Sequence, residues 1–159
     1  MGRLFDFPSV VNEKAARVVA GCVLILSAIT LATGVYWLAA LMAVGFALRV
    51  GWGPRFSPIA KLATRIVAPR LGDEKPVAGP PKRFAQSLGL VMTTGAAAFG
   101  LLGMTTVADV LLVFMLIATT LESVFAICLG CELFGVLMRI GLIPADICAE
   151  CADISARRA

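Results

Sequence analysis

Four of the five cysteines fall in two C-x-x-C pairs, Cys128 with Cys131 and Cys148 with Cys151, with sixteen residues between the pairs. Thiols so spaced suit two chemistries. Four thiolates in this arrangement read as a zinc site, and an iron-sulfur cluster uses the same ligand set. Alternatively, one pair can exchange with a partner disulfide while the other resolves or relays, passing electrons through mixed disulfides. Glu132, Asp146, Glu150 and Asp153 surround the pairs with negative charge. That charge helps to retain a cation but raises thiol pKa values and slows thiolate attack. A third reading has the cysteines as small packing residues; it accounts for Cys128 and Cys131 in apolar sequence but not for a second pair in polar sequence.

The positions of these thiols depend on the elements that carry them. Of the 159 residues, 60% are hydrophobic and 15% charged, and the mean hydropathy is +0.95. Those values exceed what a soluble domain of this size shows and indicate an all-α, polytopic membrane protein. There is no histidine. Its absence excludes His-ligated haem, imidazole metal sites and catalytic dyads or triads with an imidazole base. No fixed-period repeat is visible, so a single membrane domain over 1–159 is expected.

Apolar runs place four spans at about 15–33, 35–48, 87–106 and 109–129. A cleaved signal peptide is a rival reading of the first run, but the second run starts at once and a tight helical hairpin turning at Gly34 explains both. The loop 49–86 is rich in Lys, Arg and Pro. Within it Ile59, Leu62, Ile66 and Val67 recur at helical spacing opposite Lys61 and Arg65, as in a short amphipathic helix on a membrane surface. The third span is studded with Gly89, Gly95, Gly100 and Gly103 among alanines, and Ala96 with Gly100 forms a small-x-x-x-small step suited to close helix packing. The fourth helical pattern continues to about Ile140, where Gly141 and Pro144 stop it; the whole segment exceeds the bilayer, so its last third should project or bend along the surface. A cysteine-bearing tail, 130–159, with a short helix after Pro144, completes the chain.

All fourteen Lys and Arg fall in the N-terminal segment with the first turn of the span that follows it, the 49–86 loop or the C-terminal segment, and neither hairpin turn contains one. This positive-inside pattern puts both termini and the loop on the cytoplasmic side of the inner membrane. The net charge of +4 then suits anionic lipid and calls for no nucleic acid. The cysteine pairs would lie at and beyond the cytoplasmic boundary, where permanent disulfides are disfavoured. Glu122 is a carboxylate inside a span, about 10 Å from the Cys128 level on the helical rise. It reads as a protonated structural group or as a proton carrier for nearby thiols. Cys22 reads as a packing residue.

The segments PKRFAQSLG (81–89), CLGCELFGVLMRIGLIP (128–144) and CAECADI (148–154) resemble an uncharacterised bacterial integral-membrane family known as a domain of unknown function. The joint R-F-A-Q and double C-x-x-C pattern carries the likeness. The resemblance implies thiol or sulfur handling alongside thioredoxin-like and sulfurtransferase proteins. The resulting expectation is thiol redox or sulfur transfer with such a soluble partner, with Cys128, Cys131, Cys148 and Cys151 reactive and Glu122 moving a proton. The alternative is a non-catalytic membrane scaffold whose four thiolates hold zinc or, less suitably, an iron-sulfur cluster. A transporter, supported only by one intramembrane acid, comes third.

Overall fold

The computed structural model describes residues 10–53, 57–73 and 75–148, without the side chains of Ala145 and Cys148. Helix α1 (Glu13–Thr33) begins where Asn12 caps the Lys14 amide and ends at Gly34, whose left-handed φ of 68° reverses the chain. Helix α2 (Trp37–Trp52) follows directly. Helix α3 (Pro58–Leu62), capped by Ser57, continues as a π turn (Ala63–Val67) and a 3-10 turn (Ala68–Leu71). Helix α4 (Gly79–Leu101) and helix α5 (Thr105–Phe125) form a second hairpin, and helix α6 (Leu129–Arg139) folds back. A 3-10 turn at Ala145–Cys148 ends the described chain.

The long helices form a ring in which α1 packs on α5, α5 on α4, α4 on α2 and α2 on α1. Its core contains Val23, Met42, Phe46, Ala96, Leu112 and Met115. The small residues of α4 act as expected. Ala96 is wholly buried, and a Cβ on Gly89 would come within 2.5 Å of the Phe46 ring of α2. A Cβ on Gly100 would collide with Tyr36, whose hydroxyl donates to Asp109 at 2.8 Å and ties the far end of α2 to α5. Thr30, Thr93 and Thr119 bond back to carbonyls four residues earlier, which satisfies their hydroxyls inside an apolar bundle.

Helices α1, α4 and α5 are long and apolar enough to cross a membrane; α2, of 16 residues, is apolar but shorter. Their outward faces are greasy, with Ile25 61% and Val91 70% exposed. Apolar surface of that extent suits association with a lipid bilayer.

Two expectations need correction. Helix α4 starts at Gly79 rather than near 87, because Pro80 and Pro81 occupy its first positions, where a missing N–H and a preset φ cost nothing. Residues 81–86 are therefore helical and not loop. In the α3 segment Ala60, Ala63 and Ala68 are buried, and Leu62 and Ile66 are exposed, as are Lys61 and Arg65. Small residues win the inner side because they let this segment lie close against α1. The helical pattern after residue 109 does not run unbroken to Ile140, because α5 stops at Phe125 and Ala126 takes a left-handed φ of 58°. A two-stranded antiparallel clip, β1 (Val10–Asn12) with β2 (Pro76–Ala78), joins the chain entering α1 to the chain entering α4.

A dithiol at a helix start beside a buried ion pair

The break after α5 builds the site. Arg17 of α1 donates to the carbonyls of Ser123, at 3.1 and 3.0 Å, and of Val124, at 3.2 Å. These are terminal carbonyls that a continuing helix would have used itself, and a cation there also opposes the negative end of the helix dipole. The chain then turns through Ala126, and Cys128, with extended φ and ψ, becomes the N-cap of α6. Cys128 and Cys131 thus lie outside the helices fit to span a membrane, on the first turn of a separate helix whose N-terminal dipole favours a thiolate.

Cys131 donates its thiol proton to the Cys128 sulfur at 2.7 Å. That bond holds Cys128 below the ordinary thiol range, assisted by Lys82 and opposed by burial and by the charge of Glu122. The same bond, together with burial, pushes Cys131 well up. The pair is therefore asymmetric, with Cys128 the more readily ionised of the two sulfurs. Cys128 is also the more deeply buried of the two.

Glu122, on the last turns of α5, accepts from Lys82 of α4 at 2.6 Å, and their side chains are 22% and 8% exposed. It is thus an ion-pair partner rather than an isolated acid. Both charges act on both thiols. Lys82 was missed in the sequence because it sits among prolines and basic residues that read as loop; the signal available was the Pro-Pro helix start.

The R-F-A-Q stretch, residues 83–86, holds this arrangement together. Arg83 donates to the Val50 carbonyl in the last turn of α2 at 3.2 Å. Phe84 packs on Phe134 of α6 with centroids 5.6 Å apart. Ala85 lies so close to Gly130 that a Cβ there would come within 2.5 Å of its Cα and Cβ. Gln86 lines a cavity of about 940 Å³ that also reaches Arg49, Lys82, Glu122 and Cys128.

Of the expected site residues, Cys128, Cys131 and Glu122 come together. Cys151 and the Cys148 side chain lie outside the described residues, so a shared four-sulfur site falls there too. Cys22 is a partly buried free thiol on α1.

The fold and site define a class: an all-helical protein with three helices able to span a membrane and a dithiol held at one end of the bundle. The chain belongs to the family described as domain of unknown function (DUF4395), whose match covers residues 11–139. Lys82, Glu122, Cys128 and Cys131 fall within the match; Cys148 and Cys151 follow it. No curated protein and no solved structure matches the chain.

Proposed function

We propose that this chain is a multi-pass protein of the cell inner membrane that exchanges electrons between its Cys128–Cys131 dithiol and a soluble thioredoxin-like or sulfurtransferase partner. The observation that carries the reading is the 2.7 Å thiol–sulfur contact at the N-terminus of α6, beside the Lys82–Glu122 pair. In the forward direction the Cys128 thiolate attacks a partner disulfide, forming a Cys128–partner bond while the partner's second sulfur leaves and takes up a proton. Cys131 then gives its proton to Glu122 and attacks the Cys128 sulfur. A Cys128–Cys131 disulfide forms, the partner dithiol departs, and two electrons have moved to the partner. The reverse sequence oxidises the partner. The same thiolate would accept a sulfur atom from a partner persulfide.

In this reading α2 is the fourth span. At 1.5 Å per residue its 16 residues cover about 24 Å, less than the roughly 30 Å hydrocarbon core. Trp37 and Trp52 at its two ends suit the interfaces. The one-sided placement of Lys and Arg supports a cytoplasmic position for both termini and the dithiol.

The test is alkylation of the intact membrane protein after oxidant and after reductant. Cys128 and Cys131 should switch together between blocked and reactive forms, and C131S should trap a reducible Cys128 adduct with a thioredoxin-like protein. Thiols that stay reduced under both challenges would refute the exchange reading.

A further inference from the structure

The cavity beside the dithiol has a charge imbalance that the exchange reading does not use. Its charged walls are Arg49, Lys61, Arg65 and Lys82 against a single acid, Glu122. That acid is already held by Lys82 at 2.6 Å. Arg49 is 2% exposed, and its Nε has no hydrogen-bond partner among the described residues. Its guanidinium lies 4.4 Å from the centroid of the Phe46 ring, a contact that gives Nε no hydrogen-bond acceptor. A guanidinium cannot shed its charge to escape such a place, and a buried charge without a counter-ion is costly.

Above Arg49 the walls turn apolar: Val19, Val23, Met92, Phe114 and Met115 line the same space. Lys61 and Arg65 are exposed and line it too. At about 940 Å³ it lies within the size range of a ligand site. Gln86 Oε1 is also buried without a partner, and turning that amide over would present its N–H2 to the same anion. A small inorganic anion would satisfy Arg49 but leave the apolar walls empty; a hydrocarbon would fill the walls but leave Arg49 unpaired.

We infer that the cavity binds an acidic lipid, an acyl chain with an anionic head, with the head on Arg49 and the chain running between α1, α4 and α5. The exposed Lys61 and Arg65 draw the anion in. The inference is independent of the exchange reading, because it rests on Arg49 and the apolar walls rather than on the thiols.

The test uses the full chain purified in neutral detergent. Lipid extracted from it and identified by mass should be enriched in acidic species over the surrounding membrane. The delipidated protein should bind cis-parinaric acid at one site, and the methyl ester of the same chain should bind at least about tenfold more weakly, the scale of a lost charge-assisted hydrogen bond. R49Q should weaken the acid by a similar factor, whereas R139Q on the exposed face of α6 should not. An extracted anionic phospholipid that the free acid fails to displace names the bilayer as the source; a displaced free fatty acid names the soluble pool. Equal binding of acid and ester, or retention of zwitterionic lipid in membrane proportion, overturns the inference. The ester comparison needs no variant, so it stands even if R49Q does not fold.

Discussion

Gly130, between the two cysteines, is the sharpest place to test how the site is held. A Cβ added there would meet both the Cα and the Cβ of Ala85 at 2.5 Å. Non-bonded carbons settle at about 3.5–4.0 Å, so α6 would have to withdraw from α4 by about 1 Å. Overpacking of this kind costs about 1–3 kcal/mol. Gly135 on the same helix is the control, since a Cβ there meets nothing within 4 Å. G135A should therefore stabilise by up to about 1 kcal/mol through helix propensity. In thermal unfolding of the detergent-solubilised protein, G130A should melt below the parent and G135A at or above it. Adding A85G to G130A should restore only part of the loss, because the Ala85 Cα remains in the way. Cys128 alkylation should change in G130A and not in G135A, since only the former moves the helix start. If G130A melts with or above the parent, the close α4–α6 approach is wrong, and with it the positioning of the dithiol by the R-F-A-Q segment.

Breaking the Lys82–Glu122 pair one side at a time should destabilise by about 3 kcal/mol in K82M, less in E122Q given the partial exposure of Glu122, with the double variant milder than K82M alone; chemical unfolding of all three would show this. The lowered Cys128 pKa means that its thiolate is already present below the ordinary thiol value of about 8.5. Its iodoacetamide rate should therefore rise through a midpoint below that value, while Cys131, shifted upward, stays unreactive across the same window. C131A removes the donor that is the main cause of the shift, so the Cys128 midpoint should move upward; an unchanged midpoint would refute the hydrogen-bond explanation. Metal analysis of the purified chain should find less than one zinc per chain, and a stoichiometric signal lost when all four C-x-x-C cysteines become serine would favour the scaffold alternative.

The bundle was largely legible because hydropathy over runs of about twenty residues reports spans directly, and the glycines of α4 announced a close-packed helix. The site was legible only as residue types. Cys128, Cys131 and Glu122 stood out because thiols in pairs and an acid in apolar sequence are rare. Their joining group, Lys82, did not, since one lysine among eight basic residues in the 49–86 segment carries no local mark. The break at Ala126 was hidden for a different reason. The local sequence, ESVFAICLG, has no proline, and its one glycine, Gly130, lies beyond the turn; the turn is stabilised by Arg17 more than a hundred positions earlier. Periodicity sees only neighbours, so a helix end fixed by a distant cation is invisible to it.

That distant cation changes what the C-x-x-C pair is. On an unbroken helix both cysteines would lie mid-helix, with Cys128 deprived of the dipole and its backbone amide engaged four residues back. With α5 ended at Phe125, the first cysteine caps a new helix and the second sits one turn inside it, donating its thiol proton to the first sulfur. Removing Arg17 should therefore act on chemistry as well as stability: R17A frees the Ser123 and Val124 carbonyls to accept helical bonds, extends α5 and carries Cys128 out of its capping position. The expected result is a higher Cys128 midpoint in the alkylation profile even though Arg17 touches neither thiol. A variant that stays folded and keeps the parental midpoint would show that the break is encoded locally after all.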